Sequence, residues 1–404
     1  MAGVERGYKT LRNAVILGAG RIGRGFLAQI MQSAGYHVIL ADIDQNLVEG
    51  LRTQGRYTIF TAGADGVSSE EVTDYDVYDI DDDATLCELL AEPGAIAVVA
   101  VPPPALLDLC PLLCMAIARR AMITNEGLDI LLCLNAVNAE RALLDGFEGM
   151  MAGAALEYAR TRVGLVRAVL MRMCPDLPDG LAKVDPYGVL SNGYNELPLN
   201  ALAFKNAPPR CSMIRLSSHI NDEVLRKIYT LNMADAALAY LGVAKGYQTA
   251  YEAVTDPEIA HWLHLALEEA SVGLRGECAF TLRQMQGWNL SIIDMLANPY
   301  LGDQLRRLGA DAARKVGYND RLTGPALLCL KHGGMPRALC RILAYAYTYP
   351  TSEDVGTKRL HDTIGEEGIE AALEHFSGLL PRNPLHTMVR EYYDHLHEEE
   401  SPKG

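Results

Sequence analysis

Lys227, Asn232 and Asp235 stand at a spacing that suits proton transfer, within the run Lys227-Ile-Tyr-Thr-Leu-Asn-Met-Ala-Asp235. Asn232 and Asp235 are three apart and share one helix face, and Lys227 lies one to two turns earlier. An amine placed there can take a hydroxyl proton while an amide donates to the alkoxide that develops. An amphipathic helix with a solvated polar face carries the same pattern. Two other constellations invite chemistry. His261-x-x-His264-x-x-x-Glu268 puts two imidazoles and a carboxylate near one helix face, as a metal site would. It offers no fourth ligand, so the aqueous side of a helix is the preferred reading. Arg306, Arg307, Arg314 and Lys315 follow Asn298-Pro-Tyr-Leu301 and concentrate positive charge in an acidic chain. They suit a phosphate or polyol ligand as well as a solvated surface.

A second reactant site is written near the start of the chain. Ala14-Val-Ile-Leu17 is a continuous apolar run of the kind a strand buried on both faces needs, and helical spacing resumes from Ile22. Between them lies Gly18-x-Gly20-x-x-Gly23. In a dinucleotide site Gly18 makes the tight turn, Gly20 lets the backbone approach the pyrophosphate, and Gly23 lets the helix pack on the strand. Arg21 and Ile22, between the last two glycines, belong to the same loop. The free amides of the helix start then face the phosphates. A second apolar strand, His37-Val-Ile-Leu-Ala41, ends in Asp42, where a carboxylate accepts from the ribose hydroxyls and repels a 2′-phosphate. No arginine follows Asp42 in Ile43-Asp44-Gln45-Asn46, so the expected cofactor is NAD rather than NADP. Val101 and Asn135 close two further buried strands, 95–101 and 130–134, at the carboxyl edge where ligands of open α/β sheets bind.

Bulk properties narrow the partners. The formal net charge of −15 argues against nucleic acid or an anionic membrane, either of which needs a basic face. The longest apolar region, 95–118, is interrupted by Pro102-Pro103-Pro104 and Asp108, which disqualifies it as a membrane span. Nine scattered cysteines without a Cys-x-x-Cys pair, and no signal-like start, lead to the expectation of a reduced cytoplasmic protein. A monomer or small homo-oligomer is expected.

Along the chain, 56–60 and 72–80 read as β-rich runs. The acidic cluster 79–83 suits oxygen ligands for a metal, but more simply the N-terminus of a helix over 84–90. Residues 175–209 are rich in proline, glycine and asparagine, and beyond them nearly every segment is helical, beginning with one helix over 222–241. The expected organisation is a dinucleotide-binding domain over 1–207 and a helical substrate domain over 208–404.

Several motifs together resemble the polyol-specific long-chain dehydrogenases, the mannitol dehydrogenase family. They are Gly18-Ala-Gly-Arg-Ile-Gly-Arg-Gly-Phe26; Leu241-Gly, Gly246-Tyr-Gln-Thr249, Glu252-Ala253 and Asp256; and Asn298-Pro-Tyr-Leu301 leading through Arg307 and Arg314-Lys315 to Asp320-Arg-Leu322 and Pro325. The resemblance implies an α/β Rossmann domain followed by an all-α domain, in the 6-phosphogluconate-dehydrogenase-like arrangement. It also implies NAD(H), no catalytic metal, and oxidation of a sugar alcohol phosphate or related polyol to the ketose. The family's catalytic pattern is lysine, asparagine five residues on, and histidine three beyond. Lys227 and Asn232 match it as proton acceptor and oxyanion donor; Asp235 occupies the histidine position. Asn135 matches a family asparagine, preceded here by Leu134 where an acidic residue is usual, and Met171 replaces an aspartate before Arg172. Arg307 and Lys315 fall at the substrate-side basic positions.

The loss of histidine has a physical consequence. An ionised carboxylate repels a developing alkoxide and raises the proton affinity of a facing lysine. Asp235 can select a cationic substrate, act as the base itself, or stay protonated and donate a hydrogen bond. The departures at Asp235 and Met171 also fit an NAD-binding homologue with altered substrate or lost catalysis, serving as a sensor or scaffold.

Overall fold

The structure is a computed structural model that describes residues 12–63, 65–136, 138–350 and 354–400, the side chains of 399 and 400 aside. It divides into two compact units, Met1–Ile220 and Asn221–Gly404.

The first unit carries eleven strands among the described residues: β1 (Arg12–Leu17), β2 (Tyr36–Asp42), β3 (Tyr57–Gly63), β4 (Gly66–Val72), β5 (Tyr75–Asp79), β6 (Ile96–Val99), β7 (Leu128–Leu132), β8 (Val163–Arg167), β9 (Val189–Ser191), β10 (Leu197–Asn200) and β11 (Ile214–Ser217). Six of them form one parallel sheet in the order β5-β2-β1-β6-β7-β8. The order reverses at β1, so the carboxyl ends of β1 and β6 flank the switch point where such sheets bind ligands. Apolar runs make these strands because both faces are covered. Ala14 and Ile16 of β1 enter one core with Phe26, Leu27 and Ile30, while Val15 and Leu17 enter another with Leu86, Leu113 and Phe147. The run expected over 72–80 is instead the end of β4 and the whole of β5, separated at Asp74, whose φ of 61° breaks the extended chain. The acidic cluster behaves as a helix start: Asp82 accepts from the amide of Thr85 at 3.2 Å and caps the helix Asp83–Ala91.

Arg120 fixes one end of this sheet. It is fully buried (0% exposed) and donates to the carbonyls of Leu90 (3.1 Å), Glu92 (2.5 Å) and Gly127 (2.7 Å), so the segments at 90–92 and at 127 share one guanidinium. Arg120→Met leaves those carbonyls unsatisfied and is expected to cost about 3 kcal/mol. Urea unfolding of the variant checks this; a change below about 0.5 kcal/mol would place Arg120 outside the structural role.

The boundary expected at 207/208 falls later, at 220/221. The reason is β11, which pairs in parallel with β10 from Leu197↔Ile214 to Asn200↔Ser217 and so ties 214–217 to the first unit. The proline-rich segment before it is an internal connection of that unit.

The second unit is helical throughout its described residues. The helix expected over 222–241 is two helices, Ile220–Tyr229 and Leu231–Ala244, broken at buried Thr230 (φ −125°, ψ −71°). The Thr230 hydroxyl donates to the carbonyl of Arg226 at 2.5 Å and accepts from the indole N–H of Trp288 at 2.8 Å. A tertiary partner therefore stabilises the break, where propensity alone would continue the helix. The helix Leu231–Ala244 is almost wholly buried, and its alanines allow close packing against Pro257–Glu277, Leu305–Gly309 and Arg337–Tyr347. Among the described residues no helix is long and apolar enough to cross a membrane.

Candidate active site

The nucleotide loop follows β1 directly. The amides of Gly18 and Ala19 donate to Ala41 O at 2.8 and 3.1 Å, which sets the loop beside the end of β2 and next to Asp42. Gly18 has φ +102°, and a Cβ on it would lie 2.7 Å from Ala100 O and 3.0 Å from Val101 N. Gly18 is thus needed both for its backbone conformation and for the approach of the strand after β6. A Cβ on Gly23 would lie 2.1 Å from Gly18 O, so the helix can close on the loop only with glycine there. At Gly20 nothing stands within 4 Å of that position, and the space is open to a ligand. The three glycines have three separate reasons, and only the one at Gly20 leaves room for a phosphate group.

The other expected cofactor residues are distributed around this loop. Ile22 packs against the core below it, and exposed Arg21 pairs with Asp176. The Asp42 carboxylate accepts the amide of Asp44 at 3.0 Å through Oδ1, at the edge of the sheet. Val101 is buried beside Gly18, and the amide of Cys133 donates to Val99 O at 2.8 Å, carrying the chain to exposed Asn135 beyond β7.

Sequence reading named Arg24 and Arg172 within family motifs but gave neither a role. The helix after the loop is π-wound over Gly23–Leu27, a form often found at functional sites. Arg24 points inward from that turn and donates to Ala19 O, while its own carbonyl accepts from the Tyr57 hydroxyl at 2.9 Å. Arg172, beside buried Met171, donates to Gly25 O (2.9 Å), Gln29 (2.9 Å) and Tyr194 O (2.6 Å) and lies over the Phe26 ring. Burial lowers its pKa to about 10. The Gly-Arg-Gly-Phe sequence past the third glycine was the available signal.

In the second unit, Thr230 separates Lys227 on one helix from Asn232 and Asp235 on the next. Desolvation pushes the Lys227 ammonium down to about 8, partly opposed by the Asp235 carboxylate and assisted by Arg321. The Asp235 carboxyl is pushed up to about 6, first by desolvation and then by Asp303, against the pull of Arg321, Arg307 and Lys315. Its Oδ1 is buried without a hydrogen-bond partner. These residues form one electrostatic cluster, and Arg321, which donates to Asp320 at 2.8 Å, and Asp303 are members that residue spacing did not single out.

The two expected substrate cations differ in environment. Arg307 is largely exposed and pairs with buried Asp303. Lys315 is only 4% exposed, and its ammonium donates to Leu308 O at 2.6 Å and to Ala310 O, so it holds the turn after the helix Leu305–Gly309. Burial lowers its pKa to about 8. Arg314 is engaged by Asp311 at 2.7 Å and Asp320 at 3.3 Å. On the helix Pro257–Glu277, His264 meets Glu268 at 3.3 Å on an exposed face. Among the described residues no group of three or more His, Cys, Asp or Glu is placed to hold a metal ion.

The arrangement is matched across the chain by known proteins. The curated mannitol-1-phosphate 5-dehydrogenase of Halalkalibacterium halodurans is 27% identical over 378 residues, 93% of this chain and 98% of that one. Among solved structures, Pseudomonas fluorescens mannitol 2-dehydrogenase in ternary complex with NAD and D-mannitol superposes with a TM-score of 0.76 at 16% identity, covering 97% of this chain and 93% of that one. A D-sorbitol dehydrogenase in substrate-free form gives 0.80 at 15% identity, covering 96% and 93%. Residues 12–213 match the mannitol dehydrogenase Rossmann domain and residues 219–396 the mannitol dehydrogenase C-terminal domain. With both domains matched in order, over a parallel sheet followed by helices, the chain belongs to the mannitol dehydrogenase family.

Proposed function

We propose that this protein is an NAD-dependent dehydrogenase that oxidises a secondary alcohol of a polyol, or of a sugar alcohol phosphate, to the ketose. The observation that carries the reading is Lys227, an amine whose charged form is disfavoured by burial and which is followed by Asn232 at the family spacing. A lysine with a pKa near 8 has a useful neutral fraction and serves as a general base. Lys227 takes the hydroxyl proton, and the Asn232 amide donates to the oxygen as it gains negative charge. Arg307, exposed and using only part of its donor set on Asp303, meets the hydroxyls or phosphate of the substrate. Lys315, anchored on two carbonyls, contributes positive potential and holds the turn near Arg307. The relatives named for mannitol 1-phosphate and mannitol support this substrate class.

The residues around the loop fit a dinucleotide: Gly20 is open, the helix start presents amides, and Asp42 stands at the end of β2. When bound, NAD+ supplies the hydride acceptor. Gly18, Gly20, Arg21, Ile22, Gly23, Val101 and Asn135 are the residues that would hold it, and Asp42 would set the preference against a 2′-phosphate. NADH is therefore expected to bind at least about tenfold more tightly than NADPH, with the ratio shrinking in Asp42→Asn. Fluorescence titration of both nucleotides checks this; equal affinities in the wild type would remove Asp42 from the role.

A panel of polyols, polyol phosphates and amino-polyols, screened for NADH formation, tests the function. Turnover of a polyol or its phosphate supports it and separates the two substrate classes. Preference for an amino-polyol makes Asp235 a cation selector. NADH binding with no turnover supports the sensor or scaffold reading.

A further inference from the structure

Arg24 is a cation sealed beneath the nucleotide loop. It is 6% exposed, donates to the carbonyl of Ala19, and leaves its Nε buried without a hydrogen-bond partner. Its backbone is pinned at both ends of the peptide: the amide donates to Gly20 O at 3.0 Å, and the carbonyl accepts from Tyr57 at 2.9 Å. The next residue is equally confined. A Cβ on Gly25 would lie 2.6 Å from Val189 Cγ1, and Gly25 O accepts from Arg172 at 2.9 Å. The backbone that carries Arg24 is therefore fixed, and the side chain is held inward by its bond to Ala19 O.

Among the described residues no carboxylate forms an ion pair with this guanidinium. Asp42 and Asp185 act on it only at longer range, and both are engaged elsewhere. Asp42 accepts from Asp44, and Asp185 accepts from the amides of Thr58 (2.7 Å) and Tyr187 (2.9 Å) and from Gln54 (3.1 Å). Burial accordingly lowers the proton affinity of Arg24. A buried cation without a paired carboxylate is costly, and the fold keeps this one one peptide away from Gly20, where the loop is open.

We propose that Arg24 is the built-in counter-charge for the pyrophosphate of a dinucleotide held at the Gly18–Gly23 loop. The inference rests on the NAD reading above. Ala19 separates the guanidinium from the bound anion, so the two need not touch; their attraction acts through an interior that screens poorly. The same cation, by holding Ala19 O inward, fixes the peptide whose neighbour faces the phosphates. Arg24 is a positioning and charge-balancing residue, and the Gly20 amide region is what the ligand contacts.

The test compares ligands that differ in the pyrophosphate. NADH, ADP-ribose and adenosine are titrated against wild type, Arg24→Met and Arg24→Lys by fluorescence or calorimetry, with circular dichroism and thermal melting to confirm folding. Arg24→Met is expected to weaken NADH and ADP-ribose about tenfold or more and adenosine less than about twofold, since only the phosphates sense the lost charge. Arg24→Lys, which keeps the charge, recovers most of the loss. The inference is overturned if Arg24→Met binds ADP-ribose like the wild type, or if adenosine weakens by the same factor. Should Arg24→Met not fold, Arg24→Lys decides: a ratio of ADP-ribose to adenosine affinity that falls about tenfold despite the retained charge also overturns it. A wild type that binds neither NADH nor ADP-ribose overturns the dinucleotide reading together with this inference, whereas a binding wild type with an indifferent Arg24→Met overturns this inference alone.

Discussion

Lys227→Ala is expected to lower kcat for alcohol oxidation about a hundred- to ten-thousand-fold, the range a positioned general base contributes. The side chain it removes is the one amine in the cluster that both matches the family pattern and has its charged form disfavoured by burial. Lys315 is also depressed to about 8, but two carbonyls hold its ammonium, and it cannot turn to accept a proton without abandoning them. The effect should fall on kcat far more than on KM, because the lost interaction belongs to the proton transfer. NADH affinity should stay within about twofold of the wild type, since Lys227 is not among the residues assigned to the nucleotide. Steady-state kinetics beside NADH titration measure both. A variant with full kcat excludes Lys227 as the base.

Asp235→Asn should shift the pH dependence of the reaction without abolishing it. In the wild type the Asp235 carboxylate raises the proton affinity of Lys227, opposing the larger effect of burial. An amide at 235 has no charge, so the lysine pKa falls below about 8 and its neutral form appears at lower pH. Oxidation, which uses the neutral amine, then gains at neutral pH; ketose reduction, which uses the protonated amine, loses there. The acidic limb of kcat/KM for oxidation moves down by about one pH unit in the variant, the scale of one nearby charge. Asp235 itself is pushed up to about 6, so a second ionisation in that region should vanish in the same variant. The two groups interact, and the wild-type limbs belong to the pair. An unchanged profile in Asp235→Asn would remove Asp235 from contact with the proton transfer.

The contrast with histidine explains why position 235 is informative. Imidazole supplies an N–H to the substrate oxygen and carries no negative charge. The carboxylate here sits among Arg307, Lys315 and Arg321, which draw it back towards ionisation, and Asp303 opposes them.

How much of this was legible before the structure follows from the range of the forces involved. The parallel sheet was readable because β6 and the stretches Ala14–Leu17 of β1 and Ile130–Leu132 of β7 are continuous apolar runs, which double-sided burial requires. The glycine loop was readable because Gly18 and Gly23 answer to close contacts with a neighbouring strand or within a few residues, while Gly20 faces open space. The break at Thr230 was not, since helical periodicity runs through it and its partner, Trp288, lies far along the chain. The boundary at 220 was hidden for the same reason, because the pairing of β10 with β11 is a tertiary event. Arg307 and Lys315 looked alike in sequence, yet one is exposed and the other is anchored on backbone carbonyls. Arg24 and Arg321 owe their environments to burial and to distant charges, which spacing does not encode.

The pH dependence of kcat/KM for NAD-dependent polyol oxidation by the wild type bears most directly on the central claim, because it reports the ionisations of the free enzyme. With Lys227 as the base, activity rises with pH through about 8 as the lysine loses its proton, and the rise is lost with the activity in Lys227→Ala. A wild-type profile without that rise, or a Lys227→Ala enzyme that keeps the wild-type rate and profile, contradicts it.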